Sequence, residues 1–534
     1  MPKPAPKANA KATPAPAPAK GAERPRVLLA SVHLPTELRT VNTPIGLLSL
    51  ASSLKGADVK ILAQKEMPEK NFAKAVREFS PHHIGVTIYP SPFPEMNNEQ
   101  AKLLKRLRKL APSASIIAGG PAVHKAPVGV LESFPADFFI KGEAELPFAK
   151  LIKAAGTRHV LSLPRKTLEA IPGAIFRNNA GALHVSPKLP RASAEFLGKL
   201  KLDWRLLDPD TYFAELFTTR GCKGKCVFCT RPQGTKIRAQ SPQKIVDEIK
   251  RLRKARPDVT HVVFNDDTFA HDRQRAVDLA NLIVREGLHK KYKFALQTTV
   301  GSLLKNGEPD SGLIGALKKM NTIFVYLGTE NLSKPELERM GKGKYTPAQA
   351  LKVAREISRH GMVPDQYIIL TNPHTALKDL INTAYLVSLH RAKPAPAGRP
   401  PVSYAVFHTL EPGFGTPFYR KLESEGKLRA HVEKNYPQMF DEPIIGKVLS
   451  LARKKADADL KKPENQRTPA ENRVSEILLD VHNEALKEFK KLDAKKTRSQ
   501  QENARMAELG EAVTLAAKRV RRIIRALDKR PAQP

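Results

Sequence analysis

The chain has 534 residues, room for two or three domains and a large core, and its 90 Lys and Arg against 53 Asp and Glu give a formal net charge of +37. That excess suggests a polyanionic partner such as nucleic acid, an anionic membrane surface or an acidic substrate, whereas 6% aromatic content gives little support for a base-stacking platform. Three cysteines exclude a paired disulfide framework, no apolar run approaches a membrane span, and no apolar segment near the N-terminus marks secretion, so a cytoplasmic, reducing compartment is expected.

Residues 1–25 repeat Pro, Ala and Lys, with too few apolar groups to offset the entropy of ordering, and read as a disordered basic tail. From Arg26 short apolar runs (27–31, 57–63, 83–89, 115–120 and 137–143) alternate with amphipathic helical stretches. That alternation predicts an α/β domain over residues 26–155 with a doubly wound, Rossmann-like parallel sheet, whose ligands sit at the carboxyl ends of the strands. Gly119-Gly120-Pro121 and Gly142-Glu143 fall at such ends. Residues 156–212 are a connector with a hairpin around Asn178-Asn179-Ala180-Gly181, followed by Trp204, the only tryptophan, read as a packing anchor.

Residues 213–427 repeat the strand-helix pattern six times (214–219, 261–266, 293–299, 322–328, 365–371 and 403–410), which predicts a partial (βα)6 barrel of the TIM type with its site at the carboxyl ends of the strands. Cys222, Cys226 and Cys229 follow the first strand as CxxxCxxC and hold all the sulfur ligands of the chain. Three thiolates within eight residues wrap one soft-metal site. A structural zinc needs a fourth ligand, and the nearest downstream histidine is His261, beyond a helical segment. An iron-sulfur cluster on three cysteines leaves one iron open to a ligand.

The spacing, with Arg220-Gly221 before the first cysteine and Phe228 before the last, resembles the radical S-adenosylmethionine (radical SAM) enzymes. The resemblance implies a 4Fe-4S cluster on Cys222, Cys226 and Cys229. It also implies S-adenosylmethionine on the open iron, cleaved after electron transfer to a 5′-deoxyadenosyl radical, and a reducing donor of flavodoxin or ferredoxin type. Asp266 and Asp267, where the family often has GGE, become the acceptors for the methionine ammonium. Phe228, Gln297 and the Gly328–Glu330 stretch, which resembles the family's G-x-E-S, complete the expected cofactor contacts.

The order Pro44-Ile45-Gly46-Leu47, Gly119-Gly120-Pro121, Gly142-Glu143-Ala144-Glu145 resembles the cobalamin-binding domain that precedes the radical core in one subfamily, implying contacts from Thr87, Gly119, Gly120, Gly142 and Glu143. The family's Asp-x-His-x-x-Gly is here Ser31-Val32-His33-Leu34-Pro35-Thr36, lacking Asp and Gly, so cobalamin without a histidine ligand is expected; His33 and His124 read as loop residues. With no cysteine left for a second cluster or a methyl carrier, the resemblance implies cobalamin-dependent methyl transfer to an unactivated carbon or a phosphinate of a small molecule. The alternatives are a radical SAM cyclase or rearrangement enzyme and, from another class, a basic nucleic-acid-binding protein with a structural metal.

Residues 428–534 read as a basic helical region. Val513, Ala516, Ala517, Val520, Ile523, Ile524 and Leu527 follow the 3.6 period. Such a helix lies on an anionic membrane surface or, more commonly, packs against the barrel with a solvated basic face. Solvated faces and tails account for much of the charge excess, so nucleic acid is not the expected partner.

Overall fold

The computed structural model describes residues 23–31, 45–63, 69–177, 181, 183–392, 402–460, 470–495 and 497–527. His33, Pro44 and hairpin residues 178–180 lie outside them. The five apolar runs of the first domain become β1 (Arg26–Ser31), β2 (Asp58–Ala63), β3 (His83–Thr87), β4 (Ser115–Gly119) and β5 (Phe138–Ile140), all parallel. An antiparallel pair, β6 (Ala174–Arg177) and β7 (Leu183–Val185), extends the sheet to the order β2-β1-β3-β4-β5-β6-β7.

The strands read as unbroken apolar runs because helices cover both faces. Leu28, Ile84 and Ile116 meet Phe72, Leu104 and Leu107 on one side, and Val27, Leu29 and Ile117 meet Leu47, Phe148 and Leu151 on the other. β1 sends the chain to β2 on one side and pairs with β3 on the other, which opens a crevice at the carboxyl ends of the strands.

The second sheet contains β8 (Phe213–Leu216), β11 (His261–Phe264), β12 (Lys293–Thr299), β15 (Thr322–Glu330), β16 (Val363–Thr371) and β17 (Ser403–Thr409). Each pairs in parallel with its predecessor, so the sheet winds one way as a partial barrel. Two ribbons sit beside it: β9 (Thr219–Arg220) with β10 (Arg238–Ala239), and β13 (Leu304–Lys305) with β14 (Glu308–Pro309).

The helix Ile45–Ser53 belongs to both cores. Its Leu47 and Ala51 enter the first-domain core, while Ile45 and Leu48 enter the barrel core. Trp204 is 2% exposed, and its indole Nε1 donates to Glu248 Oε1 at 2.9 Å, anchoring the connector on the barrel.

The C-terminal helices Pro443–Leu460, Ala470–Asp493 and Gln500–Leu527 pack with the barrel helix Leu377–Ala392. Leu509, Ala512, Ala516 and Ile523 are buried, and Val513 and Val520 pack against the same core. From Leu509 to Ile523 the apolar stripe of the last helix is therefore covered by protein, the packing alternative of the two expected for it. No helix among the described residues is long and apolar enough to cross a membrane.

Candidate functional site

A cavity of about 620 Å³ opens where the carboxyl ends of the two sheets face each other. The first domain contributes Gly46, Thr87, Gly119, Gly120, Gly142 and Glu143, and the barrel contributes Glu215, Asn265, Asp266, Asp267 and Gln297. Every residue expected to contact cobalamin thus lines one wall, and three of those expected to contact S-adenosylmethionine line the other.

The cysteine loop leaves β8 and is held mainly by its backbone. Cys222 N donates to Gly234 O at 3.0 Å, Val227 N to Met340 O at 3.2 Å, and Phe418 N to Val227 O at 3.0 Å. Gly341, at φ +73°, allows this approach, since a Cβ there would stand 2.5 Å from Lys225 O. All three thiols are free and half-buried, and burial pushes those of Cys226 and Cys229 up.

The loop suits an iron-sulfur cluster. Backbone N–H groups already point at sulfur, from Gly224 to Cys222 Sγ at 3.3 Å and from Arg231 to Cys229 Sγ at 3.4 Å, the donor pattern that supports thiolates. A Cβ on Gly224 would lie 3.2 Å from Cys222 Sγ and 3.7 Å from Cys226 Sγ, so glycine leaves room between two ligands. His261 begins β11, at the end of the barrel opposite the loop, and does not complete a zinc site. No compact His, Cys, Asp or Glu group of single-metal type occurs among the described residues.

The structure separates the two adjacent aspartates. Asp266 is 1% exposed, and its carboxylate accepts from Thr218 N at 2.6 Å, Thr219 N at 3.0 Å and the Thr218 hydroxyl. It is a pillar of the strand-to-cysteine turn, with a carboxyl raised by burial against the pull of those donors. Asp267 is less enclosed, is also raised by burial, and takes the Gly221 N–H.

Glu330 lies at the β15 bulge with φ +62°, an uncommon conformation for a non-glycine residue, and pairs with Lys342 Nζ at 2.8 Å. Burial disfavours the Lys342 cation, but Glu330 and Cys226 outweigh it and hold its pKa above the usual value. Gly328 packs on this pair, and Phe228 packs on a small cluster with Met340, Ile369 and Phe418. These two and Glu330 lie outside the lining of the cavity.

Glu143 is occupied by arginines. Arg238 grips it with two bonds, Nη2 to Oε1 at 2.6 Å and Nη1 to Oε2 at 2.7 Å, while Arg220 Nη1 lies 3.3 Å from Oε2. Arg220 also donates to Glu145 Oε1 at 2.6 Å and Ser49 Oγ at 3.2 Å. Arg220 and Arg238 are directly opposed in the β9–β10 ribbon, so this buried network clamps the segment just before Cys222 onto the first domain. Sequence reasoning missed Arg238 and Lys342, and treated Arg220 only as a flank of the motif. His124 docks between the domains beside Pro121 and Thr230, and burial lowers its pKa to about 4, so it is neutral at physiological pH.

A family model for the radical SAM superfamily matches residues 216–384, and one for the B12 binding domain matches residues 33–152. The chain is a radical SAM enzyme with a B12-binding domain. This radical SAM enzyme is 28% identical over 336 residues to an uncharacterised methyltransferase of Pyrococcus horikoshii, covering 60% of this chain and 68% of that one. It is 25% identical over 259 residues to the cytidylyl-2-hydroxyethylphosphonate methyltransferase of Streptomyces wedmorensis, covering 42% and 46%. In structure it matches the cobalamin-dependent radical SAM enzyme OxsB with aqua-cobalamin bound, with a TM-score of 0.63, 16% identity and coverage of 95% and 81%. It also matches the methyltransferase TsrM of Kitasatospora setae with cobalamin and a [4Fe-4S] cluster bound, with a TM-score of 0.58, 18% identity and coverage of 76% and 78%. These two likenesses place the two-domain fold of the radical SAM enzyme among solved structures.

Proposed function

We propose that this protein is a cobalamin-dependent radical SAM methyltransferase that moves a methyl group to an unactivated carbon or a phosphinate of a small molecule. The observation that carries the reading is the single cavity whose walls are the B12-domain strand ends on one side and the barrel strand ends on the other. Cys222, Cys226 and Cys229 would hold a 4Fe-4S cluster, reduced by a flavodoxin- or ferredoxin-type donor. Cobalamin would lie against the wall formed by Thr87, Gly119, Gly120 and Gly142, where glycine is required at Gly120 and Gly142 by the neighbouring carbonyls of Ile88 and Pro190. With those groups bound, the cofactors supply one-electron cleavage of S-adenosylmethionine and a methyl donor. The chain's own part is to orient them: Glu143, Arg220 and Arg238 fix the domain spacing, and Asp267 and Gln297 present polar atoms to the S-adenosylmethionine side of the cavity.

Reduced protein reconstituted with iron, sulfide and cobalamin and supplied with S-adenosylmethionine is expected to form S-adenosylhomocysteine, up to one per bound cobalamin while no acceptor is added, together with 5′-deoxyadenosine from radical cleavage. Formation of 5′-deoxyadenosine alone would contradict methyl transfer and favour the cyclase or rearrangement reading. Asp267→Asn should weaken S-adenosylmethionine binding about tenfold, the loss of one charge-assisted hydrogen bond, with iron content unchanged. Unaltered affinity in equilibrium dialysis would return Asp267 to a structural role.

A further inference from the structure

The inner face of the barrel carries side chains that the cluster and cofactor assignments leave unused. Along β15, Val325 and Leu327 enter the core beneath the helices, which turns Phe324 and Tyr326 inward; along β16, Ile368 and Leu370 do the same and leave Asp365 and Tyr367 inside. The rings form a continuous stack. Phe324 and Tyr326 have centroids 6.2 Å apart at an interplanar angle of 8°, and Tyr326 and Tyr367 are 6.1 Å apart at 18°. Phe324 is 38% exposed on an interior strand of the sheet, and Tyr212, 58% exposed at the foot of β8, lies within electrostatic reach of Tyr326. Large rings left open on an inner strand are surface kept for a ligand.

Charge narrows the class of that ligand. Asp365 is the ladder partner of Tyr326 and lies against both tyrosines, and it has no ion-pair partner among the described residues. Glu215 adds a second carboxylate on β8. Among 90 Lys and Arg in the chain, the six strands of this sheet contain one, Lys293 at the foot of β12. In a strongly basic protein, the strands of this sheet are thus almost without cations.

We propose that this face is the acceptor-substrate site and that it takes a molecule with a cationic nitrogen on a flat apolar body. The nitrogen sits against Asp365, and the flat part runs along Phe324, Tyr326 and Tyr367, where both the carboxylate and the ring faces attract a cation. The proposal rests on the small-molecule methyltransferase reading above and favours a carbon acceptor over a phosphinate. An anionic phosphonate or nucleotide would be repelled by Asp365 here, which sets this site apart from what the name of the Streptomyces relative specifies. S-adenosylmethionine is itself cationic, and Gln297, one of its expected contacts, pairs with Tyr326 level with Asp365; its expected acidic contacts, Asp267 and Glu330, lie beyond that level toward the carboxyl ends of the strands.

The test uses two probes of similar shape and opposite charge, 2-phenylethylammonium and 3-phenylpropionate, titrated into the reconstituted full-length protein by ligand-observed NMR. The ammonium is expected to bind at least tenfold more tightly. Asp365→Asn should bring the two to within about threefold while S-adenosylmethionine affinity and cluster absorbance stay at wild-type values. Equal affinities, tighter binding of the carboxylate, no binding of the ammonium, or an Asp365→Asn protein that keeps the preference or loses S-adenosylmethionine instead would each overturn the proposal. The wild-type comparison stands even if the variant folds poorly, and because every readout is binding, a failure of methyl transfer is registered separately by the co-product assay.

Discussion

Cys226→Ala is expected to remove iron from the protein and to lower S-adenosylmethionine cleavage at least a thousandfold while leaving the fold intact. The fold survives because the loop is held by main-chain bonds that do not need the thiol: Val227 N to Met340 O, Phe418 N to Val227 O, and Cys222 N to Gly234 O. The chemistry does not survive, because no fourth cysteine exists to replace the lost ligand. Iron analysis and 5′-deoxyadenosine quantitation after reduction check both halves. A variant that still makes 5′-deoxyadenosine at the wild-type rate would remove the cluster assignment altogether.

Glu143→Gln should destabilise the protein by about 3 kcal/mol or more, since breaking one partner of a buried ion network leaves uncompensated charge behind. Arg220 is 6% exposed and retains Glu145, but Arg238, 8% exposed, loses its countercharge and one of its two side-chain bonds, since the glutamine amide offers one acceptor oxygen and turns a donor toward the other guanidinium nitrogen. The network joins the first domain to the ribbon that precedes the cysteines, so the same variant should loosen the docking of the two domains. Chemical denaturation and limited proteolysis of the connector read these effects, and replacing Arg238 with Gln in the same chain should recover part of the loss. A change below about 1 kcal/mol would mean that the shared helix Ile45–Ser53, not the ion network, sets the domain arrangement.

The strands of both domains were legible because buried parallel strands are unbroken apolar runs, and the cysteine loop stood out because three sulfurs in eight residues mark a metal site, zinc or iron-sulfur. Roles at the strand ends were harder. Asp266 and Asp267 are adjacent carboxylates with the same local context, and only the path of Thr218 and Thr219 beside them decides which becomes the pillar. Glu143 follows a glycine at a strand end, a position that reads as a ligand contact. Its arginine partners are 77 and 95 residues away, and no local spacing announces a pairing across a domain boundary. Glu330 and Lys342 meet only because β15 bulges and Glu330 takes a positive φ, features of the folded ladder rather than of the residue pattern.

The last helix shows the same limit from the other side. Its apolar stripe was plain in the sequence, but whether lipid or protein covers such a stripe depends on what the rest of the chain brings to it. Here the helices Ala470–Asp493 and Leu377–Ala392 arrive first. The inner wall of the barrel was legible only as strands, because the stack of Phe324, Tyr326 and Tyr367 and the placement of Asp365 follow from register between neighbours.

The account turns on both cofactors meeting in one cavity. The most direct measurement is the iron and cobalamin content of protein purified without oxygen from cobalamin-supplied cells, by absorbance and mass spectrometry. One cobalamin and about four irons per chain are expected for a 4Fe-4S cluster beside a B12-domain site. Protein that takes up its iron but no cobalamin would contradict the methyltransferase reading and leave the first domain with another task.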